Sequence, residues 1–188
     1  KDNFLVCISG DSGSGKTYFQ DIFKKIVGSY GVFLEGDSEH KWERDNPNWK
    51  NITHLNPKAN YLYSQNESLK KLKIGESIER RDYDHNTGKF TESNRVDPKD
   101  FIFISGLHSF YLPKTRSIAN LTIFLDTPDD LKFSWNVKRD SMERNYPVES
   151  IKKKIEEREE DFKNFISIQK NYADIIFRYQ AIEDKAVD

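Results

Sequence analysis

The sequence predicts a three-layer α/β fold whose central sheet is mostly parallel. Five short apolar runs, each typical of a strand buried on both faces, alternate with stretches in which apolar residues recur at helical spacing. The first run also ends in a glycine-rich loop, and a helical pattern follows that loop. Strands that alternate with helices favour a parallel sheet covered on both faces, which is the α/β class.

The elements follow from the spacing of the apolar residues. The predicted strands are Phe4–Ser9, Val32–Leu34, Phe101–Ile104, Leu121–Leu125 and Ile175–Phe177. The predicted helices are Tyr18–Val27, Asp129–Arg144 and Val148–Gln169. Gly28 follows the first helix where a C-cap glycine is expected.

A polar stretch from about residue 45 to residue 98 interrupts this alternation. A helical pattern over Tyr61–Lys73 leads to Gly75, and Ile78–Thr91 is typical of a hairpin that turns at Asn86–Gly88. Insertions at the carboxyl end of a parallel sheet commonly bind substrate. We therefore expect a substrate-binding hairpin region inside a single domain of residues 1–188.

Composition limits the classes of function. Thirty basic residues against 31 acidic residues give a formal net charge of −1, which removes the broad positive field of a general nucleic-acid binder. The single cysteine, Cys7, excludes an intrachain disulfide and favours a reducing compartment. No apolar run approaches the roughly 18 residues that span a bilayer, and no signal peptide opens the chain. We expect a cytoplasmic protein without a membrane partner, cut from a longer chain because it starts at Lys1.

The glycine-rich loop fits the phosphate-loop pattern G-x-x-x-x-G-K-[ST] at every required position. Its residues are Gly10, Asp11, Ser12, Gly13, Ser14, Gly15, Lys16 and Thr17. Backbone N–H groups of such a loop surround phosphate oxygens, and the helix that follows adds partial positive charge. Lys16 would reach the β- and γ-phosphates, and the Thr17 hydroxyl would bind Mg²⁺. The motif predicts ATP and Mg²⁺ as cofactors.

The remaining motifs decide between classes of nucleotide enzyme. The chain carries no Asn-Lys-x-Asp run of the kind that reads guanine, and its third strand ends at Ser105, which is not acidic as a motor ATPase would require. A small chain with a large polar insertion favours a small-molecule kinase. Asp37 follows the second strand, where a base for the acceptor hydroxyl is needed, and His40 and Arg44 follow it. Spacing alone equally allows Asp37 to be a cap and the other two to be solvated.

Several collinear segments resemble the phosphoribulokinase/uridine kinase family, and they are closer to its phosphoribulokinase branch. These segments are Gly36–Arg44, Leu55–Asn60, Tyr83–Gly88, Gly106–His108, Phe124–Asp126, Lys132–Trp135, Lys138–Arg144 and Phe165–Asp174. The resemblance implies a P-loop NTPase fold with a helical lid at about residues 136–148. It also implies a small-molecule substrate, and it allows a homodimer and fused domains.

The resemblance further implies roles for individual residues. Asp37 would be the catalytic base and a neighbour of Mg²⁺, with Lys16 and Arg139 also catalytic. The sugar-phosphate acceptor would contact His40, Arg44, Tyr83, His85, Arg139 and Arg144. Asp140 would assist the metal site.

The chain departs from the family at two positions that concern phosphate and metal. Ser105 stands where these kinases usually have a glutamate that helps to hold Mg²⁺, and Asn136 stands where phosphoribulokinases have a lid lysine. Arg158 lies on the apolar stripe of the last helix, and we interpret it as structural, paired with an acid, rather than as a phosphate ligand. Two alternatives stay open: a uridine or nucleoside kinase, and a catalytically weak nucleotide-binding module of a larger protein.

Overall fold

The computed structural model describes residues 2–144 and 147–180, and for residues 140–144 it describes the backbone alone. The strands are β1 (Phe4–Gly10), β2 (Gly31–Glu35), β3 (Ile78–Arg80), β4 (Tyr83–Asp84), β5 (Lys89–Phe90), β6 (Asn94–Val96), β7 (Phe101–Gly106), β8 (Leu121–Asp126) and β9 (Ile175–Arg178). The helices are α1 (Lys16–Val27), α2 (Leu62–Lys73), α3 (Pro113–Ile118), α4 (Asp129–Arg144), α5 (Val148–Glu157) and the single turn α6 (Glu159–Asp161).

The central sheet has five parallel strands in the order β2-β7-β1-β8-β9. The predicted α/β class and all five predicted strands are therefore confirmed. Because the strands are parallel, their carboxyl ends lie at one edge of the sheet, where β1, β2 and β7 end beside one another. That edge carries the phosphate loop after β1 and Asp37 after β2.

The pleat divides the core into two layers. Leu5, Cys7 and Ile104 belong to the layer that packs against α2 and the insertion. Val6 and Phe103 belong to the other layer, which packs against α1. Burial raises the pKa of the Cys7 thiol, so this residue is core material, as the sequence predicts.

Residues 45–98 form the expected insertion, which holds α2 and two small antiparallel pairs. β4 pairs with β5 around the predicted turn, where Gly88 has a φ of +72°. β3 pairs with β6, so the hairpin region extends beyond Thr91 to Val96. Arg80 ties this region to the sheet, because its guanidinium donates to the carbonyl oxygen of Glu35 over 2.8 Å.

The predicted helix over Val148–Gln169 is interrupted in the structure. α5 ends at Glu157, and Arg158 leaves helical geometry with a φ of −105° and a ψ of 1°. A π-helical turn over Phe162–Ile166 follows α6. Within this broken segment the Asp161 carboxylate accepts a hydrogen bond from the Thr53 hydroxyl over 2.6 Å. The segment therefore contacts the insertion, which apolar periodicity alone does not predict.

No helix among the described residues is both long enough and apolar enough to cross a membrane.

His108 links the loop after β7 to the insertion, and its protonation should affect the stability of the fold in acid. Its Nε2 donates to the carbonyl oxygen of Leu55 over 2.8 Å, and burial lowers its pKa to about 4. A folded-state pKa below the unfolded value of about 6.5 means that the unfolded chain binds the proton first. The free energy of unfolding should therefore decrease as the pH falls from about 6.5 towards 4.

His108→Gln keeps a donor for Leu55 and removes this titration. We expect urea unfolding to show a smaller loss of stability between pH 7 and pH 5 in the variant than in the unmodified chain. Part of the loss should remain, because burial and the charge of Arg158 lower the pKa of His54 to about 3. An identical pH dependence in both proteins would contradict the assignment to His108.

Candidate active site

The loop between β1 and α1 has the conformation that phosphate binding requires. Gly13 and Gly15 have φ values of +76° and +84°, which residues with a side chain rarely adopt. A Cβ atom on Gly13 would also lie 2.5 Å from the amide nitrogen of Asn136 in α4. Both backbone strain and lack of space therefore require glycine here.

Lys16 folds back onto this loop. Its ammonium donates to the carbonyl oxygens of Gly10 over 2.9 Å and of Asp11 over 2.6 Å. Burial lowers the pKa of Lys16 to about 8, although the negative charges of Asp37 and Asp11 oppose that effect. Lys16 is thus a half-buried cation held by weak carbonyl partners that an anion can replace.

A cavity of about 780 Å³ opens in front of the loop. Five of the eight predicted loop residues line it, namely Ser12, Gly13, Gly15, Lys16 and Thr17. The other three hold the loop from behind: Gly10 and Asp11 accept from Lys16, and the Ser14 carbonyl oxygen accepts from the Thr127 hydroxyl over 2.9 Å.

Gly106, at the end of β7, lines the floor of the cavity, and Gly36, just after β2, packs against it. Gly36 and Gly106 face each other so closely that a Cβ on Gly106 would lie 2.9 Å from the Gly36 Cα. The Gly36 Cα is a backbone atom, so no side-chain rotation can move it out of the way. This contact sets Asp37 next to the end of β7, and both Asp37 and Ser105 line the cavity.

Asp37 is surrounded by cationic and imidazole groups. The Nε2 atoms of His40 and His85 lie 3.7 Å and 3.3 Å from its two carboxylate oxygens. Burial raises the pKa of Asp37, but His40, His85, His54 and Lys16 together outweigh burial and lower it to about 2. Asp37 is therefore ionised at neutral pH, and it faces the cavity that Lys16 also lines.

The other predicted acceptor residues lie at different distances from the cavity. His85 lines it, whereas His40 is buried and its Nδ1 bonds to the Asn60 Oδ1 over 2.7 Å. Tyr83 packs edge-to-face on both imidazoles. Arg44 donates to the carbonyl oxygens of His85 and Asn86 and so holds the hairpin turn. The predicted contacts of His40, Arg44 and Tyr83 with substrate stay predictions.

Helix α4 closes the cavity over the phosphate loop. Lys132 pairs with the Asp11 carboxylate over 3.2 Å, and the Asn136 amide donates to the Ser12 carbonyl oxygen over 3.1 Å. Arg139, a predicted lid residue, lines the cavity and donates to the Asn136 Oδ1 over 2.9 Å. The side chains of two other predicted site residues lie outside the described residues, namely Asp140 and Arg144.

Sequence reasoning missed several residues that line the cavity. His54 lies in the insertion just before the resembling segment Leu55–Asn60, and it lines the cavity beside His85 and Asp37. Trp135 and Tyr179 stack edge-to-face, with ring centroids 5.3 Å apart, beside Gly15. Of these side chains, Trp135 alone could have been found from the sequence, because it lies within a lid segment that resembles the family. Glu35 also lines the cavity.

Orphaned polar atoms indicate that a ligand completes this site. The Gln20 side-chain nitrogen and the Tyr179 hydroxyl are buried in the described structure without a hydrogen-bond partner. Both residues line the cavity. Buried donors without partners cost about 1–3 kcal/mol each, and a polar ligand would relieve that cost.

The oxygen donors fit a magnesium ion that arrives with phosphate. Thr17 and Asp37 both line the cavity, and hydroxyl and carboxylate oxygens are the ligands that Mg²⁺ prefers. Among the described residues no group of three or more His, Cys, Asp or Glu side chains is placed to hold a metal. Mg²⁺ sites of one or two carboxylates completed by phosphate oxygens and water have this character.

Comparisons with known proteins agree with this geometry. The family model described as "Phosphoribulokinase / Uridine kinase family" matches residues 5–186. The phosphoribulokinase of a Synechocystis species is 32% identical over 185 residues, which cover 96% of this chain and 56% of that protein. The uridine kinase of Borrelia duttonii is 30% identical over 189 residues, which cover 97% and 90%. The chain spans about half the length of the curated phosphoribulokinases it matches.

Solved structures give the same fold. The phosphoribulokinase of Rhodobacter spheroides superposes with a TM-score of 0.76 at 21% identity, covering 94% of this chain and 70% of that one. A possible uridine kinase from Bacillus stearothermophilus superposes with a TM-score of 0.59 at 17% identity, covering 94% and 89%. Fold, phosphate loop and family model therefore agree, and the chain belongs to the phosphoribulokinase/uridine kinase family.

Proposed function

We propose that this protein catalyses ATP- and Mg²⁺-dependent phosphoryl transfer to a hydroxyl group of a small sugar phosphate. One observation carries the proposal: the Asp37 carboxylate and the Lys16 ammonium face one cavity, with the phosphate loop at one end and imidazoles at the other. Transfer between two bound molecules needs this arrangement, because donor and acceptor must meet with water excluded.

Each group has a distinct task in this reaction. Lys16 exchanges its two carbonyl partners for phosphate oxygens of the donor, and Arg139 adds positive charge from α4. Thr17 and Asp37 hold Mg²⁺, which neutralises the charge of the phosphates when it is bound. Trp135 and Tyr179 supply apolar surface beside Gly15 for the base of the nucleotide.

Asp37 acts chiefly by orientation. A carboxylate with a pKa of about 2 is a weak base, so it does not remove a hydroxyl proton before transfer begins. Phosphoryl transfer passes through a loose transition state in which little proton removal is needed early. Asp37 therefore aligns the acceptor hydroxyl and takes its proton as the new bond forms.

The charge of the acceptor end supports a phosphorylated substrate. His54 and His85 line this end, and the positive charge of Arg158 contributes to the lowered pKa of His54. Cations and imidazole donors favour an anionic acceptor over a neutral nucleoside. This position of Arg158 supports a role beside phosphate, in place of the purely structural role expected from the sequence.

An acceptor panel tests the proposal. We expect ADP release, in the presence of ATP and Mg²⁺, to be stimulated by a pentose phosphate and much less by the matching unphosphorylated pentose or by uridine. Lys16→Ala, the matched control, should abolish the stimulated rate. Stimulation by uridine alone would identify a nucleoside kinase, and nucleotide binding without any stimulation would identify a regulatory module.

Asp37→Asn tests the role of the carboxylate. We expect kcat to decrease by about 10²–10⁴-fold, because an amide accepts no proton from the acceptor hydroxyl. Metal-free ATP binding, measured by calorimetry, should change little, since the loop and Lys16 hold the phosphates. Asp45→Asn, an exposed acid outside the cavity, serves as the control and should keep full turnover. Unchanged turnover in Asp37→Asn would contradict the assigned role.

A further inference from the structure

The end of β7 lacks an acidic side chain at the place where the cavity would hold a metal ion. Ser105 is the last residue there before Gly106, it is buried, and it lines the cavity. A neutral hydroxyl attracts a divalent cation much less than a carboxylate does. With Ser105 at this position, Asp37 is the one carboxylate, among the described residues proposed so far as ligands, that would bind the ion.

The strand register places a second carboxylate beside Ser105. Glu35 is the Cα partner of Ser105 across the parallel pair β2 and β7. Paired residues in neighbouring strands point to the same face of a sheet. Two residues earlier on that face, Phe33 and Phe103 stack with ring centroids 4.6 Å apart, in the core layer that packs against α1. Glu35 therefore projects on the side of the sheet that α1 covers, and Thr17 lies in the first turn of that helix.

The Glu35 side chain reaches the cavity close to Asp37. Its carboxylate lies 4.0 Å from the Nε2 of His85, and the same nitrogen lies 3.3 Å from the Asp37 carboxylate. No described residue forms a hydrogen bond with the Glu35 carboxylate, whose side chain is 54% exposed. The sharp exit at Gly36 brings the two acids, two residues apart in sequence, to one place.

We propose that Glu35 supplies the second carboxylate of the Mg²⁺ site, in place of the acidic side chain that the end of β7 lacks. The inference rests on the proposed function, because the ion enters with the nucleotide. Glu35 contacts the ion or the water that it retains, since Mg²⁺ usually keeps several waters in sites of this kind. The orphaned Gln20 nitrogen independently indicates a hydrogen-bond acceptor, such as a phosphate oxygen, in the same cavity, and the ion would enter with that phosphate.

Metal affinity tests the inference without turnover. Mn²⁺ is titrated by electron paramagnetic resonance into the full chain saturated with a non-hydrolysable ATP analogue. We expect Glu35→Gln to weaken Mn²⁺ binding by about 10–100-fold, the usual cost of removing a group that supports a metal site. Affinity for the metal-free analogue should stay within about twofold. Glu76→Gln, an exposed acid outside the cavity, should leave both affinities unchanged.

A double variant tests the link between the two strands. Ser105→Glu in the Glu35→Gln background returns a carboxylate to the neighbouring strand, and we expect it to recover most of the lost Mn²⁺ affinity. Glu35→Asp, which keeps the charge and shortens the side chain, should bind Mn²⁺ more tightly than Glu35→Gln. Each variant is compared at equal saturation with the analogue and with its thermal unfolding recorded.

The outcomes separate this inference from the proposed function. If the unmodified chain binds no nucleotide, the proposed function is wrong and the inference falls with it. If nucleotide binds and Glu35→Gln leaves Mn²⁺ affinity unchanged, the inference alone is wrong. In that case a weaker acceptor affinity would assign Glu35 to the orientation of His85.

Discussion

The parallel pairing of β1, β7 and β2 is the constraint on which the site depends. Parallel strands end at a common edge, so three segments that are far apart in sequence meet there. The loop after β1 supplies main-chain donors, and the segment after β2 supplies an acid. The end of β7 supplies a small residue that leaves room between them. Any shift of register by one residue would turn these side chains to opposite faces.

Charge placement gives the cavity its chemistry. The half-buried Lys16 ammonium and the half-buried Asp37 carboxylate line one cavity without forming a close ion pair, so each keeps capacity for a ligand. Lys16 rests on carbonyl oxygens that are weaker partners than a phosphate. Asp37 is kept anionic by imidazoles that also line or support the acceptor end. These charges fit the proposed binding of a phosphate group together with a divalent cation.

Sequence patterns predict the parts of this site that are local. The phosphate loop is contiguous, and Asp37 follows a strand directly, so motif and position suffice for both. The role proposed for Glu35 depends on the register of two paired strands whose partners lie about 70 residues apart in the chain. No single segment of the sequence reveals that register. The break at Arg158 escapes prediction for a similar reason, because apolar periodicity defines a face but not where the backbone leaves helical geometry.

The contact between Gly36 and Gly106 bears on how such proteins diverge. Two strand ends that touch backbone to backbone offer no side chain through which selection can adjust the floor of the cavity. A change in the shape of the cavity would then come from other lining segments, such as the insertion that contributes His54 and His85. A homologous chain with a bulkier residue at either position must have moved its two loops apart. This pair of positions is therefore a simple marker for deciding which distant sequences share the same cavity floor.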